Sequence, residues 1–132
     1  MKQRLLLHLC CANCGTIPIE QLEDKFNLTL FWYNPNITTE SEHQKRLKDV
    51  KKLATIYNKN LVEEKYEPDQ WFKSIQGLEK ESEGGKRCEK CVRIRLRKAA
   101  QYGKKHGYDC LATSLTTGPQ KKQKRLMPWE KF

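Results

Sequence analysis

The 132-residue sequence lacks an apolar run long enough to cross a membrane. Its longest apolar runs, such as Leu28 to Tyr33, fall far short of the ~18 residues that a transmembrane helix needs. Near the N-terminus, Lys2 and Arg4 precede a short apolar stretch, but this stretch leads into cysteines and not into a small-residue cleavage site. We therefore expect a cytoplasmic protein that has neither a membrane span nor a secretory signal.

Acidic residues are in the minority, with 16 Asp and Glu against 26 Lys and Arg, so that the formal net charge is +10. A chain this basic attracts polyanions such as nucleic acids. The basic excess is not confined to the C-terminus, because residues 119–132 hold five bases and one acid. A charged surface that serves solubility is the alternative explanation.

The chain is long enough for one domain with a core of its own and too short for two ordinary domains. Apolar residues make up 37% of the sequence and fall in clusters, which argues against a wholly disordered chain. We expect a single domain over residues 1–118. Residues 119–132 are expected to form a basic tail that is truncated or disordered.

Apolar runs typical of strands alternate with segments of helical periodicity. The predicted strands cover residues 5–9, 28–33, 61–62 and 108–115. The predicted helices begin at Thr16, at Thr38 or Thr39, at Pro68 and at Cys88. Because parallel neighbouring strands need crossover connections, this alternation predicts an α/β fold with a parallel sheet covered by crossover helices, as in Rossmann-like proteins. The tail is too short for another crossover, so we expect four strands and an open sheet edge.

Polar and cysteine-rich segments follow three of the predicted strands. A cysteine cluster follows the first strand, the turn Asn34-Pro35-Asn36 follows the second, and Thr116 to Gly118 follow the fourth. Ligands of parallel sheets collect outside the carboxyl ends of the strands. These three segments are therefore predicted to share one ligand-binding edge.

Five of the six cysteines lie in two clusters, C-C-A-N-C and C-E-K-C, formed by Cys10, Cys11, Cys14, Cys88 and Cys91. A reducing compartment keeps such thiols out of disulfides. Thiolates are soft ligands that select zinc, copper(I) or iron–sulfur clusters. Because zinc and a cubane cluster each take four protein ligands, one thiol is in excess; it could hold a second metal, carry out redox chemistry or pack in the core.

Two other interpretations of the cysteine clusters are thioredoxin-like thiol exchange and inert, buried side chains. Cys110 lies inside a predicted strand and is interpreted as a small buried hydrophobic residue. The three histidines, His8, His43 and His106, form no pair with metal-ligand spacing, and we expect packing or surface roles for them.

Three separated motifs resemble the QueH-type epoxyqueuosine reductases over roughly residues 5–118. They are L-H-L-C-C-A-N-C at 7–14, N-P-N-I at 34–37 and E-G-G-K-R-C-E-K-C-V-R-I-R-L at 83–96. The resemblance implies a fold similar to the adenine-nucleotide α-hydrolase (HUP-type) group, with a 4Fe-4S cluster and an adjacent mononuclear iron. The implied reaction is the reduction of epoxyqueuosine to queuosine at the wobble position of tRNA, the last step of queuosine biosynthesis, with an external electron donor.

Carried over to this sequence, the resemblance implies metal ligation by Cys10, Cys11, Cys14, Cys88 and Cys91. We also expect a carboxylate to help hold the lone iron, with Asp69 and Asp109 as candidates. Basic residues near the second cysteine pair are predicted to bind tRNA phosphates, namely Arg87, Arg93, Arg95, Arg97 and Lys98. A solvated helix face is the alternative for this basic group.

Two other functions compete with the reductase. A zinc-stabilised RNA-binding module without catalysis would use the same thiol pairs and the same positive charge. A relative of the α-hydrolases that activates its substrate with ATP is suggested by fold analogy alone. The segment from Cys10 to Gly15 has a single glycine and is not a glycine-rich phosphate loop, which makes this third function the weakest.

Overall fold

A computed structural model describes residues 2–77, 80, 86–114 and 129–131, with the backbone alone for 86–89 and 129–131. The strands are β1 (Gln3–His8), β2 (Phe26–Trp32), β3 (Asn60–Glu63), β4 (Cys110–Thr113) and β5 (Trp129–Lys131). The helices are α1 (Thr16–Leu22), α2 (Glu40–Ile56), α3 (Pro68–Ser74) and α4 (Lys86–Lys105). Within these ranges, the structure contains no helix with the length and apolar character of a membrane span.

The five strands form one sheet in the order β3-β2-β1-β4-β5. The first four are parallel to one another, which confirms the predicted α/β fold. The expectation that the sheet ends openly at β4 is wrong, because β5 pairs with β4 in the antiparallel direction, with Ala112 opposite Trp129. An antiparallel neighbour needs only a reversal of the chain and no crossover helix. The predicted segment Thr116 to Gly118, residues 78, 79 and 81–85, and residues 119–128 and 132 of the tail lie outside the described residues.

Strand β1 is buried on both faces, with no exposed surface at Leu5, Leu6 or Leu7. Because successive side chains of a strand point to opposite faces, Leu5 and Leu7 pack in the core on the α1 and α2 side of the sheet. Leu6 packs on the other face in a cluster that includes Ala99 of α4. The central strand is therefore covered by helices on both sides, as its unbroken leucine run predicts.

Helix α4 runs antiparallel to the strands. Just past its C-terminal end, the carbonyl groups of His106 and Gly107 accept hydrogen bonds from Arg4 Nη1, at 3.1 and 3.4 Å, beside the amino end of β1. A helix of 20 residues is about 30 Å long, enough to cross the whole sheet. The N-terminal turns of α4, which carry Cys88 and Cys91, therefore lie toward the carboxyl edge of the sheet.

His43 of α2 is buried and neutral. Its Nε2 accepts a hydrogen bond from Trp32 Nε1 at 3.1 Å, so the ring proton is on Nδ1, and the ring stacks on Tyr66 at a centroid distance of 3.9 Å. Burial lowers the pKa of His43, and the negative charge of Glu40 opposes that effect in part. The packing role expected for this histidine is confirmed.

The lowered pKa of His43 makes the stability of the protein depend on pH. Unfolded His43 takes up a proton near its ordinary value of 6.5, whereas folded His43 stays neutral to lower pH. The unfolded state then binds more protons, so the free energy of unfolding falls as the pH drops below 6.5, by at most about 1.4 kcal/mol per pH unit. His43→Gln keeps an acceptor for Trp32 and should show a shallower fall. Urea unfolding of both proteins between about pH 5 and 7 measures this, and identical slopes would contradict the assignment.

Candidate metal centre

Three cysteines converge in the loop between β1 and α1. The Sγ atoms of Cys10, Cys11 and Cys14 all lie within 4.8 Å of one another, and those of Cys11 and Cys14 are 2.9 Å apart. In the part of the chain that the structure describes, this is the one group of at least three His, Cys, Asp or Glu side chains close enough to share an ion. Of the five cysteines predicted to converge, the structure brings these three together, and the described side chain of Cys91 is not part of the group. We call Cys10, Cys11 and Cys14 the cysteine trio.

Gly15 allows the trio to lie against the core. Its N–H donates to the carbonyl of Ala12 at 3.0 Å, which closes the turn that carries Cys14. A Cβ atom at Gly15 would lie 2.8 Å from Leu53 Cδ2 and 3.0 Å from Leu9 Cδ2, closer than packed side chains tolerate. A side chain at this position would therefore require the ends of Leu53 and Leu9 to shift, and α1 begins at the next residue.

Ser114, directly after β4, fixes the first cysteine of the trio. Its Oγ accepts a hydrogen bond from the backbone N–H of Cys10 at 3.0 Å and donates to Cys10 Sγ at 3.4 Å. The parallel register pairs His8 with Thr113, which brings the residues that follow the two strands together. Sequence analysis missed Ser114, because its relevance depends on β4 being the neighbour of β1.

The electrostatics of the trio fit a thiophilic metal ion. Burial raises the pKa of the Cys14 thiol, and the hydrogen bond that Cys14 shares with Cys11 and the proximity of Cys10 raise it further. A bound cation reverses this balance, because it stabilises thiolates directly. A tetrahedral ion with metal–sulfur bonds of ~2.3 Å keeps its ligand sulfurs ~3.8 Å apart. Metal binding would therefore widen the 2.9 Å separation of Cys11 and Cys14 Sγ, within the 4.8 Å that spans the trio. Three sulfurs leave a position for a further ligand.

A chain of hydrogen bonds connects the trio to the segment of the second cysteine pair. Arg95 donates from Nε to the carbonyl of Cys91 at 3.3 Å and from Nη1 to Asn34 Oδ1 at 3.1 Å. Asn34 Nδ2 donates in turn to the carbonyl of Leu9 at 2.9 Å, directly before Cys10. The backbone segments of both cysteine clusters therefore lie at the carboxyl edge of the sheet.

The side chain of Cys91 is buried and packs with Trp71 and Ile75, in and directly after α3. Cys88 lies three residues earlier in α4, on the same helix face, and its side chain is outside the described residues. Cys110 is fully buried in β4, opposite Leu5 in the middle of the sheet. Its expected role as a buried hydrophobic residue is confirmed.

His8, the last residue of β1, is buried and neutral two residues before the trio begins. Its Nε2–H donates to the carbonyl of Tyr33 at 3.2 Å, so Nδ1 accepts the hydroxyl hydrogen of Thr113 at 3.0 Å. Burial and the positive charge of Arg95 lower the pKa of His8 to about 3. His8 therefore packs as a neutral residue, as expected, and does not supply protons near neutral pH.

The two candidate carboxylates lie in different places. Asp109 accepts a hydrogen bond from the backbone N–H of Arg4 at 2.9 Å, at the amino end of β1. This end is about 20 Å from Cys10 at ~3.3 Å per residue, so we do not retain Asp109 as a ligand. Asp69 is exposed in the first turn of α3, the helix whose Trp71 packs against Cys91. Asp69 remains a prediction.

The predicted phosphate-binding residues of α4 divide by exposure. Arg93 and Arg97 are exposed, whereas Lys98 is half-buried and forms an ion pair with Glu67 at 3.6 Å. Arg95 is only 7% exposed, and its guanidinium is used inside the protein, so the structure does not support it as a surface contact for phosphate. The side chain of Arg87 lies outside the described residues.

An open cavity of about 250 Å³ borders the trio. Cys11 and two loop neighbours form one wall and the exposed face of α2 forms the other, with the lining residues Cys11, Ala12, Asn13, Glu42, Lys45, Arg46 and Asp49. Arg46 and Glu42 of this lining form an ion pair at 3.0 Å. The cavity gives a ligand access to the trio from solvent.

The sequence profile of the family described as Epoxyqueuosine reductase QueH matches residues 5–130. Curated relatives named Epoxyqueuosine reductase QueH include one from Streptococcus pyogenes serotype M1, 31% identical over 96% of this chain and 52% of the relative. Another, from Staphylococcus epidermidis, is 34% identical over 91% of this chain and 54% of the relative. The relative from Dehalococcoides mccartyi is 35% identical over 92% of this chain and 65% of its own length.

The chain thus spans about half the length of the first two of these relatives. Within that span, the matched region contains both cysteine clusters and the N-P-N turn that bonds to Arg95. The agreement of the family profile with nearly the whole sequence and with the curated relatives leads to one conclusion: this chain belongs to the epoxyqueuosine reductase QueH family.

Proposed function

We propose that the protein reduces epoxyqueuosine to queuosine at the wobble position of tRNA, in the last step of queuosine biosynthesis. The observation that carries the proposal is the convergence of the cysteine trio within 4.8 Å at the sheet edge to which Arg95 and Asn34 also tie α4. Conversion of the epoxide to an alkene consumes two electrons and two protons and releases one water molecule. An external electron donor supplies the electrons.

The proposed ligands are the five clustered cysteines, which would hold a 4Fe-4S cluster and an adjacent mononuclear iron. Asp69 is the remaining candidate for a carboxylate ligand. These metals would supply the electron transfer and the Lewis acidity that an epoxide reduction needs and that protein side chains lack. Five thiols suit such a pair of centres, because a single four-ligand site leaves one thiol without a metal.

The other residues of the site hold the cysteines in position and enclose them. Ser114 holds Cys10 through its two hydrogen bonds, and Gly15 keeps the trio close to the core. Neutral His8 fills the space below the site without adding charge. The cavity beside Cys11 is the proposed entry for the modified base, which has to leave the anticodon stack to reach the metal.

The proposed tRNA contact is the exposed basic face of α4. Arg93 lies in the half of the helix nearer the cysteine edge and Arg97 lies just past the helix midpoint, and we retain Arg87 and Lys98 as further predicted contacts. Phosphate contacts of this kind position an RNA without reading its sequence.

Substitution of Cys14 tests the metal centre and the reaction together. Anaerobically purified protein should be brown, contain iron and sulfide, and remove one oxygen atom from epoxyqueuosine in tRNA when a reductant is supplied. Cys14→Ser should lose most of the iron and the reaction, because a hydroxyl is a poor replacement for a thiolate. Iron analysis, visible absorption and mass spectrometry of the nucleosides measure these outcomes.

Cys110→Ser is the matched control for that experiment, since Cys110 is buried in the sheet away from the trio and should keep its iron. Colourless protein that holds one zinc and leaves epoxyqueuosine intact would contradict the proposal and favour the zinc-stabilised RNA-binding module.

Charge reversal on α4 tests the tRNA surface. Arg93→Glu should weaken tRNA binding and lower the slope of log affinity against log salt by about 1, because phosphate contacts are lost. Lys104→Glu makes the same kind of charge reversal on the same helix but at the amino edge of the sheet, and should have a smaller effect. Filter binding at several salt concentrations measures both variants. Equal losses in the two would show that only net charge matters.

A further inference from the structure

The guanidinium of Arg95 is buried, and its partners among the described residues are neutral groups. It donates to Asn34 Oδ1 and to the carbonyl of Cys91. Among the side chains that the structure describes, no carboxylate lies within ion-pairing distance of it. Arginine cannot lose its proton under these conditions, so a full positive charge lies inside the protein.

A buried charge is strongly unfavourable unless an opposite charge compensates it. This charge lies near the end of β1, because Arg95 donates to Asn34 and Asn34 donates to the carbonyl of Leu9. A compensating negative charge is therefore expected near the carboxyl edge of the sheet. The groups there that become anionic together are the cysteine thiols, once a metal binds to them.

The hydrogen bonds of Arg95 place it between the two cysteine segments. On one side it holds the carbonyl of Cys91 itself. On the other side, Arg95 donates to Asn34, and Asn34 donates in turn to the carbonyl of Leu9, the residue before Cys10. A metal ion held by four thiolates has more negative charge from its ligands than positive charge of its own, so a cation at this position is favourable.

We propose that Arg95 is a positioning residue of the metal centre, in which it acts as the counter-charge of the metal–thiolate group and holds the two cysteine segments in register. This inference rests on the proposed metal binding by the cysteines and does not depend on turnover of tRNA. Asn34 is the connecting residue, because it accepts from Arg95 and donates to Leu9.

Anaerobic titration with Co²⁺ tests this role, because cobalt–thiolate absorption reports the formation of the site directly. Arg95→Met should bind Co²⁺ about 10- to 100-fold more weakly, as is typical when a group that supports metal ligands is removed. Arg97→Met is the matched control: it removes the same charge from an exposed position on the same helix and should change the affinity by less than about twofold. Thermal unfolding of the metal-free variants separates lost stability from lost affinity.

Arg95→Lys keeps the charge but cannot hold both acceptors with a planar fork. We expect Arg95→Lys to bind Co²⁺ about 3- to 10-fold more weakly than the original protein. If Arg95→Met does not fold, the Co²⁺ affinity of Arg95→Lys tests whether Arg95 supports the metal centre. Asn34→Ala combined with Arg95→Lys should give less than the sum of the two separate effects, since both act through one connection.

Co²⁺ affinity equal to that of the original protein in the Arg95 variants would overturn the inference, as would an equal loss in Arg97→Met. If the original protein binds no Co²⁺, the proposed metal site fails before Arg95 is tested. If it binds Co²⁺ and converts no epoxyqueuosine, the result for Arg95 still stands.

Discussion

The parallel alignment of β1 with both of its neighbours is the constraint on which the rest of the structure depends. Because β2 and β4 run in the same direction as β1, the residues that follow all three strands meet at one edge. Cys10, Asn34 and Ser114 are far apart in sequence, yet each lies just past the end of its strand. Ser114 bonds to Cys10, and Asn34 bonds to the carbonyl of Leu9, the residue before Cys10. The crossover that makes β4 parallel is α4, which is why its N-terminal turns return to the same edge with the second cysteine pair.

This arrangement places energetically unfavourable features at the same sheet edge as the candidate metal centre. Three crowded thiols and a buried arginine are each unfavourable by themselves. A thiophilic cation bound to the thiols would offset the crowding of the sulfur atoms directly. The negative charge of its thiolate ligands would offset the buried positive charge of the arginine. The described residues that could hold such a cation are the three cysteines of the trio, which agrees with the metal binding proposed for them.

The sequence predicts the elements better than their contacts. The leucine run of β1 and the capping Thr39, whose hydroxyl accepts from the N–H of Glu42 at 3.3 Å, are local signals and are confirmed. Ser114 and β5 depend on which strands are neighbours, which local patterns do not reveal. Arg95 resembles the surface bases around it, although Cys91, Arg95 and Ala99 recur every four residues and are all buried. That period marks one helix face and was the available signal.

We propose that one metal centre takes sulfur ligands from both halves of the chain, and X-ray absorption at the zinc edge of Zn²⁺-loaded protein counts those ligands. We expect about four sulfur ligands at ~2.3 Å, and a loss of at least one sulfur in the double variant Cys88→Ser and Cys91→Ser. A sulfur count that is the same in the original protein and the double variant would contradict it, because the trio would then bind metal without α4.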